Sequence, residues 1–191
     1  MEELKIALAG ELRSGKSTLA KYAEETYGMT PFAFGDELKR RFHETFPNVP
    51  RYPKPREGYQ MYGQLMRFVY GQDIWVNYTF DEINRCRKAA LGYNFDNPDA
   101  QFNPLVTDAR QPNEFQKLRD KGFKIVKVTA PIELRIARAK ADGDIFTEAD
   151  LNHETELYVR DLNPDYLITN DGSLTDLYAA FDAIVEDIRR E

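Results

Sequence analysis

Gly10-Glu11-Leu12-Arg13-Ser14-Gly15-Lys16-Ser17, GELRSGKS, decides the fold of this chain. It fits the pattern G-x-x-x-x-G-K-[ST], in which glycines let backbone N–H groups turn inward around phosphate oxygens. A helix that begins near Ser17 adds its partial positive end. Lys16 is then placed to bridge the outer phosphates, and the Ser17 hydroxyl to ligate Mg²⁺. Gly10, Arg13, Ser14, Gly15, Lys16, Ser17 and Thr18 are therefore the candidate ligands of the ATP phosphates, with Ser17 also a metal candidate.

The flanks support a strand, a loop and a helix. Leu4 to Ala9 (LKIALA) is a short apolar run, and Ser17 to Tyr27 repeats apolar residues at helical spacing. Pro31 to Phe34 (PFAF) reads as a second strand, with Gly35 and Asp36 opening the helical pattern DELKRRFHETF. Further strands are expected at Pro104 to Thr107, Phe123 to Thr129 and Tyr166 to Thr169, and an amphipathic helix over Leu174 to Ile188. Strands alternating with helices imply right-handed crossovers, hence an α/β, doubly wound five-stranded parallel sheet. Residues 36–103 hold helical patterns and two turn-rich stretches without a convincing strand, which reads as a helical insertion for a second substrate. The chain of 191 residues is thus read as one domain, 1–191, with that insertion and a short lid over 131–158.

Composition narrows the function. A net charge of −6 supplies no global positive field, so nucleic acid is a poor partner and a small-molecule substrate is favoured. No apolar run approaches the length of a membrane span and no leader is evident, which points to the cytoplasm. The single cysteine, Cys86, is read as a helix-packing residue. No N-K-x-D run speaks for guanine recognition, and a motor or transporter needs more chain. A small phosphotransferase remains in front.

Beyond the loop, five stretches resemble the phage-type deoxynucleoside monophosphate kinases within the P-loop nucleoside monophosphate kinase group. They are RSGKST at 13–18, FAFGDELK at 32–39, GQLMRFVYGQDIWV at 63–76, LVTDARQPNEFQKLRDKG at 105–122, and HETEL with DYLITNDGSLTDL over 153–177. Where some members carry an acid, this chain has Ser17. The resemblance implies ATP and Mg²⁺ as cofactors, a nucleotide substrate and a role in nucleotide metabolism.

Asp36, expected just after the second strand, is read as a substrate-side catalytic residue or a helix N-cap. Asp108 ends an apolar strand where a carboxylate holds a magnesium water, and Arg110 follows it as a catalytic and substrate-binding cation. The run resembles the family's D-x-R-x-x-N-E, with Asn113 and Glu114 read as helix-start residues. Arg51, Arg56 and Arg67, with Gln64 one turn before Arg67, offer guanidinium forks for an acceptor phosphate, and the resemblance favours Arg67 and Arg56. Trp75 either stacks on a base or belongs to the core. Arg135 and Arg138 share a helix face where the group's lid brings arginines over the transferring phosphoryl. Asn170 stands either in an adenine-facing loop or in a turn. His43 and His153 lack metal-ligand spacing. Rival readings are a dephospho-coenzyme A kinase, a kinase of modified bases in DNA, and a non-catalytic nucleotide sensor. Both a monomer and a homodimer are compatible with the sequence.

Overall fold

The computed structural model describes residues 3–93, 101–143 and 154–191, so His153 and part of the expected lid lie outside the described residues. The chain divides into two compact units, Met1–Pro31 with Asp99–Glu191, and Phe32–Pro98.

The first unit carries the sheet. Strands β1 (Ile6–Gly10), β2 (Met29–Phe32), β3 (Asn103–Ala109), β4 (Lys124–Thr129) and β5 (Tyr166–Thr169) stand in the order β2-β3-β1-β4-β5. All five are parallel, as the alternating pattern requires, and β1 pairs with β3 on one side and β4 on the other. Every residue of β1 is buried, because a central parallel strand is covered on both faces. The chain leaves β1 to build the β3 side first and returns later to build the β4 side. That change of direction opens a crevice at the carboxyl end of β1, where the glycine loop begins.

Helices α1 (Lys16–Tyr27) and α8 (Leu174–Ile188) pack on one sheet face. Leu19 and Ala23 meet Ile6 and Leu8, and Leu177, Phe181, Ile184 and Val185 complete the cluster. Their outer seam is closed by Tyr22 stacked on Tyr178, with ring centres 4.0 Å apart, and by the Tyr22 and Tyr27 hydroxyls, which both donate to Asp182. Helix α8 begins where Ser173 and Asp176 bond reciprocally. The first unit also contains α5 (Pro112–Asp120), α6 (Ile132–Ala141) and α7 (Glu154–Asp161).

The second unit comprises α2 (Phe34–Thr45), α3 (Arg56–Tyr70) and α4 (Ile74–Tyr93), and no strand lies wholly within it among the described residues. The second strand differs from expectation. It runs from Met29 to Phe32, not Pro31 to Phe34, and Phe34 already lies in α2. An edge strand tolerates Pro31 because one row of its N–H groups needs no ladder partner. Asp36 consequently sits in the first turn of α2, with Ala33 as the N-cap.

Phe181 is fully buried at the centre of the α1–α8 cluster. Phe181→Ala should destabilise the protein by about 3–5 kcal/mol, read from urea unfolding, through lost burial and the cavity left behind.

Candidate functional site

The loop from Gly10 to Ser17 is shaped by three backbone positions. A Cβ on Gly10 would stand 2.3 Å from the Val128 carbonyl oxygen, so only glycine lets β1 turn into the loop beside β4. Gly15 has φ +110°, and a Cβ there would lie 2.2 Å from Asn170 Nδ2. Arg13 adopts a left-handed φ of 62°, uncommon for a residue with a side chain.

Five consecutive carbonyls of this loop accept side-chain hydrogens. Lys16 Nζ donates to Gly10 O and, at 2.9 Å, to Glu11 O. Arg135 Nε donates to Leu12 O at 2.8 Å, and Arg138 Nη1 reaches Arg13 O at 3.5 Å. Asn170 Nδ2 donates to Ser14 O at 2.8 Å. Planar trans peptides point N–H and C=O in opposite directions, so each tethered carbonyl fixes the direction of the next amide. The Leu12 N–H is itself held by Glu156 Oε2 and the Ser14 N–H by Glu11 O at 3.2 Å. Backbone amides at the N-terminus of α1 make an anion cradle.

That cradle borders a cavity of about 740 Å³ within the first unit, lined also by Thr107, Asp108, Arg110, Arg138 and Asp142. Asp108 stands where the register of β3 slips by one residue against β1, between the pairs Ala7–Val106 and Ala9–Ala109. Such bulges re-aim side chains at strand ends. Arg110 follows, its backbone N–H held by Glu114 Oε2 at 2.7 Å and its Nη1 3.3 Å from Glu156 Oε1. Glu114 also accepts the Gln111 N–H, so it caps α5 and fixes the backbone that carries Arg110. Arg13 pairs with Asp142 at the end of α6. Burial pushes the Lys16 ammonium down to about 8, with the Arg110 charge adding to the effect.

Several expected roles change. Arg135, anticipated over the phosphoryl group, is only 2% exposed and pairs with Glu11 at 2.8 Å, so its guanidinium braces the loop from beneath. Arg138, three residues on, does line the cavity. The Asn170 side chain is buried and committed to Ser14 O, so its amide serves the loop and is not turned toward a base. Two residues that sequence reasoning missed, Glu11 and Glu156, are buried acids at the base of the loop. HETEL contains Glu156, but nothing local marked it out: its partners, Arg135, Arg110 and Leu12, stand far from it in the sequence.

One cavity of the second unit, of about 330 Å³, lies between α2, α3 and the segment before α3. It brings Arg56 and Arg67 together and adds two cations that the motif search did not name, Lys39 and Lys54. The Lys54 ammonium is held below its ordinary range by burial and by the neighbouring Lys39 and Arg56 charges. Asp36 is exposed and bonded to Lys39 at 2.6 Å. Gln64 and Arg51 are exposed and do not line this cavity. Trp75 is a core residue, 2% exposed, with its indole N–H donated to the Gly63 carbonyl at 3.3 Å; burial removes it from any base-stacking surface. His43 packs in the same unit with Nε2 2.7 Å from the Tyr59 hydroxyl.

No family model matches the chain, and no curated protein sequence does. Solved structures do. TT1252 from Thermus thermophilus is 22% identical over 98% of each chain, with a TM-score of 0.54. Shikimate kinase from Acinetobacter baumannii, solved with shikimate, is 16% identical over 98% of this chain and 96% of its own, with a TM-score of 0.55. Shikimate kinase from Aquifex aeolicus is 11% identical over 96% of each chain, at 0.54. The chain therefore has the α/β fold of the P-loop kinases. Among the described residues, no helix is long and apolar enough to cross a membrane.

Below pH 8, Lys16 is protonated both folded and unfolded, and its burial penalty is fully expressed. Between about 8 and its ordinary 10.5 the unfolded chain holds a proton that the folded one has released, so stability rises with pH. Without ligand, the wild type should gain about 1–3 kcal/mol relative to Lys16→Met across that window, read as the difference between their chemical-denaturation curves.

Proposed function

We propose that the protein is an ATP- and Mg²⁺-dependent phosphotransferase whose acceptor is a deoxynucleoside monophosphate, giving the diphosphate and ADP. The observation that carries this reading is the pair of cation-rich cavities. One contains the phosphate loop and the other is lined by Lys39, Lys54, Arg56 and Arg67. The sequence resemblance to deoxynucleoside monophosphate kinases points the same way.

The residues of the first unit suit a nucleotide triphosphate. The loop amides and Lys16 would hold the β- and γ-phosphates, and a bound triphosphate would add negative charge beside an ammonium that burial and the Arg110 charge destabilise. Ser17 and Asp108 line the same cavity as two oxygen donors, which suits a magnesium ion that takes most of its ligands from phosphate and water. Such an ion would neutralise charge on the transferring group. Arg110 and Arg138 stand ready to balance charge developing on the equatorial oxygens.

Arg56 and Arg67 would clamp the acceptor phosphate by charge-assisted forks, with Lys54 as a further cation. A monophosphate oxygen is already ionised near pH 7, so the transfer needs no strong base. Asp36, tied to Lys39, would order that cation and need not remove a proton. Alignment and charge neutralisation would supply most of the catalysis.

The test is transfer of label from [γ-³²P]ATP to a panel containing the four common deoxynucleoside monophosphates, dephospho-coenzyme A, shikimate and modified-base DNA. Labelled deoxynucleoside diphosphate is the expected product. Label in one of the other acceptors would replace this reading, and ATP binding without any transfer would favour a sensor. Arg67→Ala should lower transfer about 10- to 100-fold while ATP affinity, measured by calorimetry, stays within about threefold.

A further inference from the structure

Beneath the phosphate loop, acidic and basic side chains alternate in a largely buried chain: Arg160, Glu11, Arg135, Glu156, Arg110. Arg160 Nε lies 3.1 Å and Arg135 Nη1 2.8 Å from the same Glu11 oxygen. Glu156, on α7, has a side chain only 3% exposed. Its Oε2 accepts the Leu12 N–H at 2.8 Å, its Oε1 accepts Arg110 Nη1 at 3.3 Å, and Arg135 Nη2 stands 3.5 Å from Oε2.

A carboxylate taken out of water needs strong partners in return. Neutralising Arg135 does not account for Glu156, because Glu11 already makes the shorter contact to that guanidinium. The better bonds of Glu156 go to the loop backbone and to Arg110. Arg110 is the less confined member, with its side chain 35% exposed, so packing leaves its direction open and the ion pair sets it. Glu114 fixes where the Arg110 backbone sits, and Glu156 fixes where the side chain points.

We propose that Glu156 is a positioning residue for phosphoryl transfer, one carboxylate that aims Arg110 into the cavity and at the same time holds Leu12 at the base of the phosphate loop. The inference rests on the phosphotransferase reading above. It gives α7, which begins within the expected lid segment 131–158, a direct hold on both the donor loop and a catalytic cation. A glutamine keeps the size and one acceptor oxygen for Leu12 but loses the charge that holds Arg110. Effects should therefore fall on turnover more than on nucleotide binding.

The experiment is a double-mutant cycle on the full chain, with Mg·ATP and the four common deoxynucleoside monophosphates as substrates. Glu156→Gln should lower kcat about 10- to 100-fold and leave the KM for ATP within about threefold. Arg110→Met should lower kcat comparably, and adding Glu156→Gln to it should cost less than about twofold more, because the charge acts through Arg110. Glu11→Gln, which touches the loop brace but not Arg110, should instead multiply with Arg110→Met. Independent, multiplying effects of Glu156→Gln and Arg110→Met overturn the inference while the phosphotransferase reading stands. Absence of transfer by the wild type overturns both. Where Glu156→Gln loses its cooperative unfolding transition, Glu156→Asp runs the same cycle, and loss of folding in both variants makes Glu156 a folding residue and overturns the inference.

Discussion

A loop that offers amide hydrogens to an anion has few of them left to hold its own shape. Here the Leu12 and Ser14 amides are spent on Glu156 and Glu11, and the carbonyls carry the rest of the load. The carbonyls of Gly10 and Glu11 accept from Lys16, the loop's own lysine at the start of α1, and those of Leu12, Arg13 and Ser14 from side chains anchored elsewhere in the first unit. The donors are cations or an amide, drawn from α1, from α6 and from the end of β5, so the loop is tied to three parts of the fold. The buried position of Arg135, the committed side chain of Asn170 and the need for glycine at 15 all follow from that arrangement.

Charge balance follows from the same constraint. Tethering carbonyls with Lys16, Arg135 and Arg138 concentrates positive charge around the loop, and Arg110 adds to it. Glu11 and Glu156 offset part of this from below, where an incoming phosphate chain does not reach their oxygens already bonded to arginine and backbone. Lys16 lies in the same place, its ammonium driven down to about 8 first by burial and then by the Arg110 charge. A site that destabilises its own cations without ligand is one that gains when an anion binds.

Much of this was legible in the sequence. GELRSGKS, the apolar run ahead of it and the alternation of strands and helices specify the fold, because glycine spacing and hydrophobic period are local signals. Strand β5 and helix α8 fall where the pattern put them. The second strand was displaced by two residues because Pro31 reads as a strand start, whereas at a sheet edge it sits inside one. Arg135 and Arg138 looked alike on the helix, and only the burial of one separates brace from cavity wall. Glu11, Glu156, Lys39 and Lys54 escaped notice because their meaning lies in partners that tertiary structure supplies. Trp75 had two readings in a mixed polar and apolar helix, and its contact with Gly63 decided between them.

The most direct measurement of the central claim is a ¹⁵N–¹H NMR titration of the labelled protein with Mg·ATP, following the backbone amides of residues 12–18. The account predicts large downfield shifts at Gly15, Lys16 and Ser17 as those hydrogens meet phosphate oxygens, with little change at Leu12, whose N–H already belongs to Glu156. Unmoved loop amides at saturating nucleotide, or shifts confined to residues outside the loop, would contradict it.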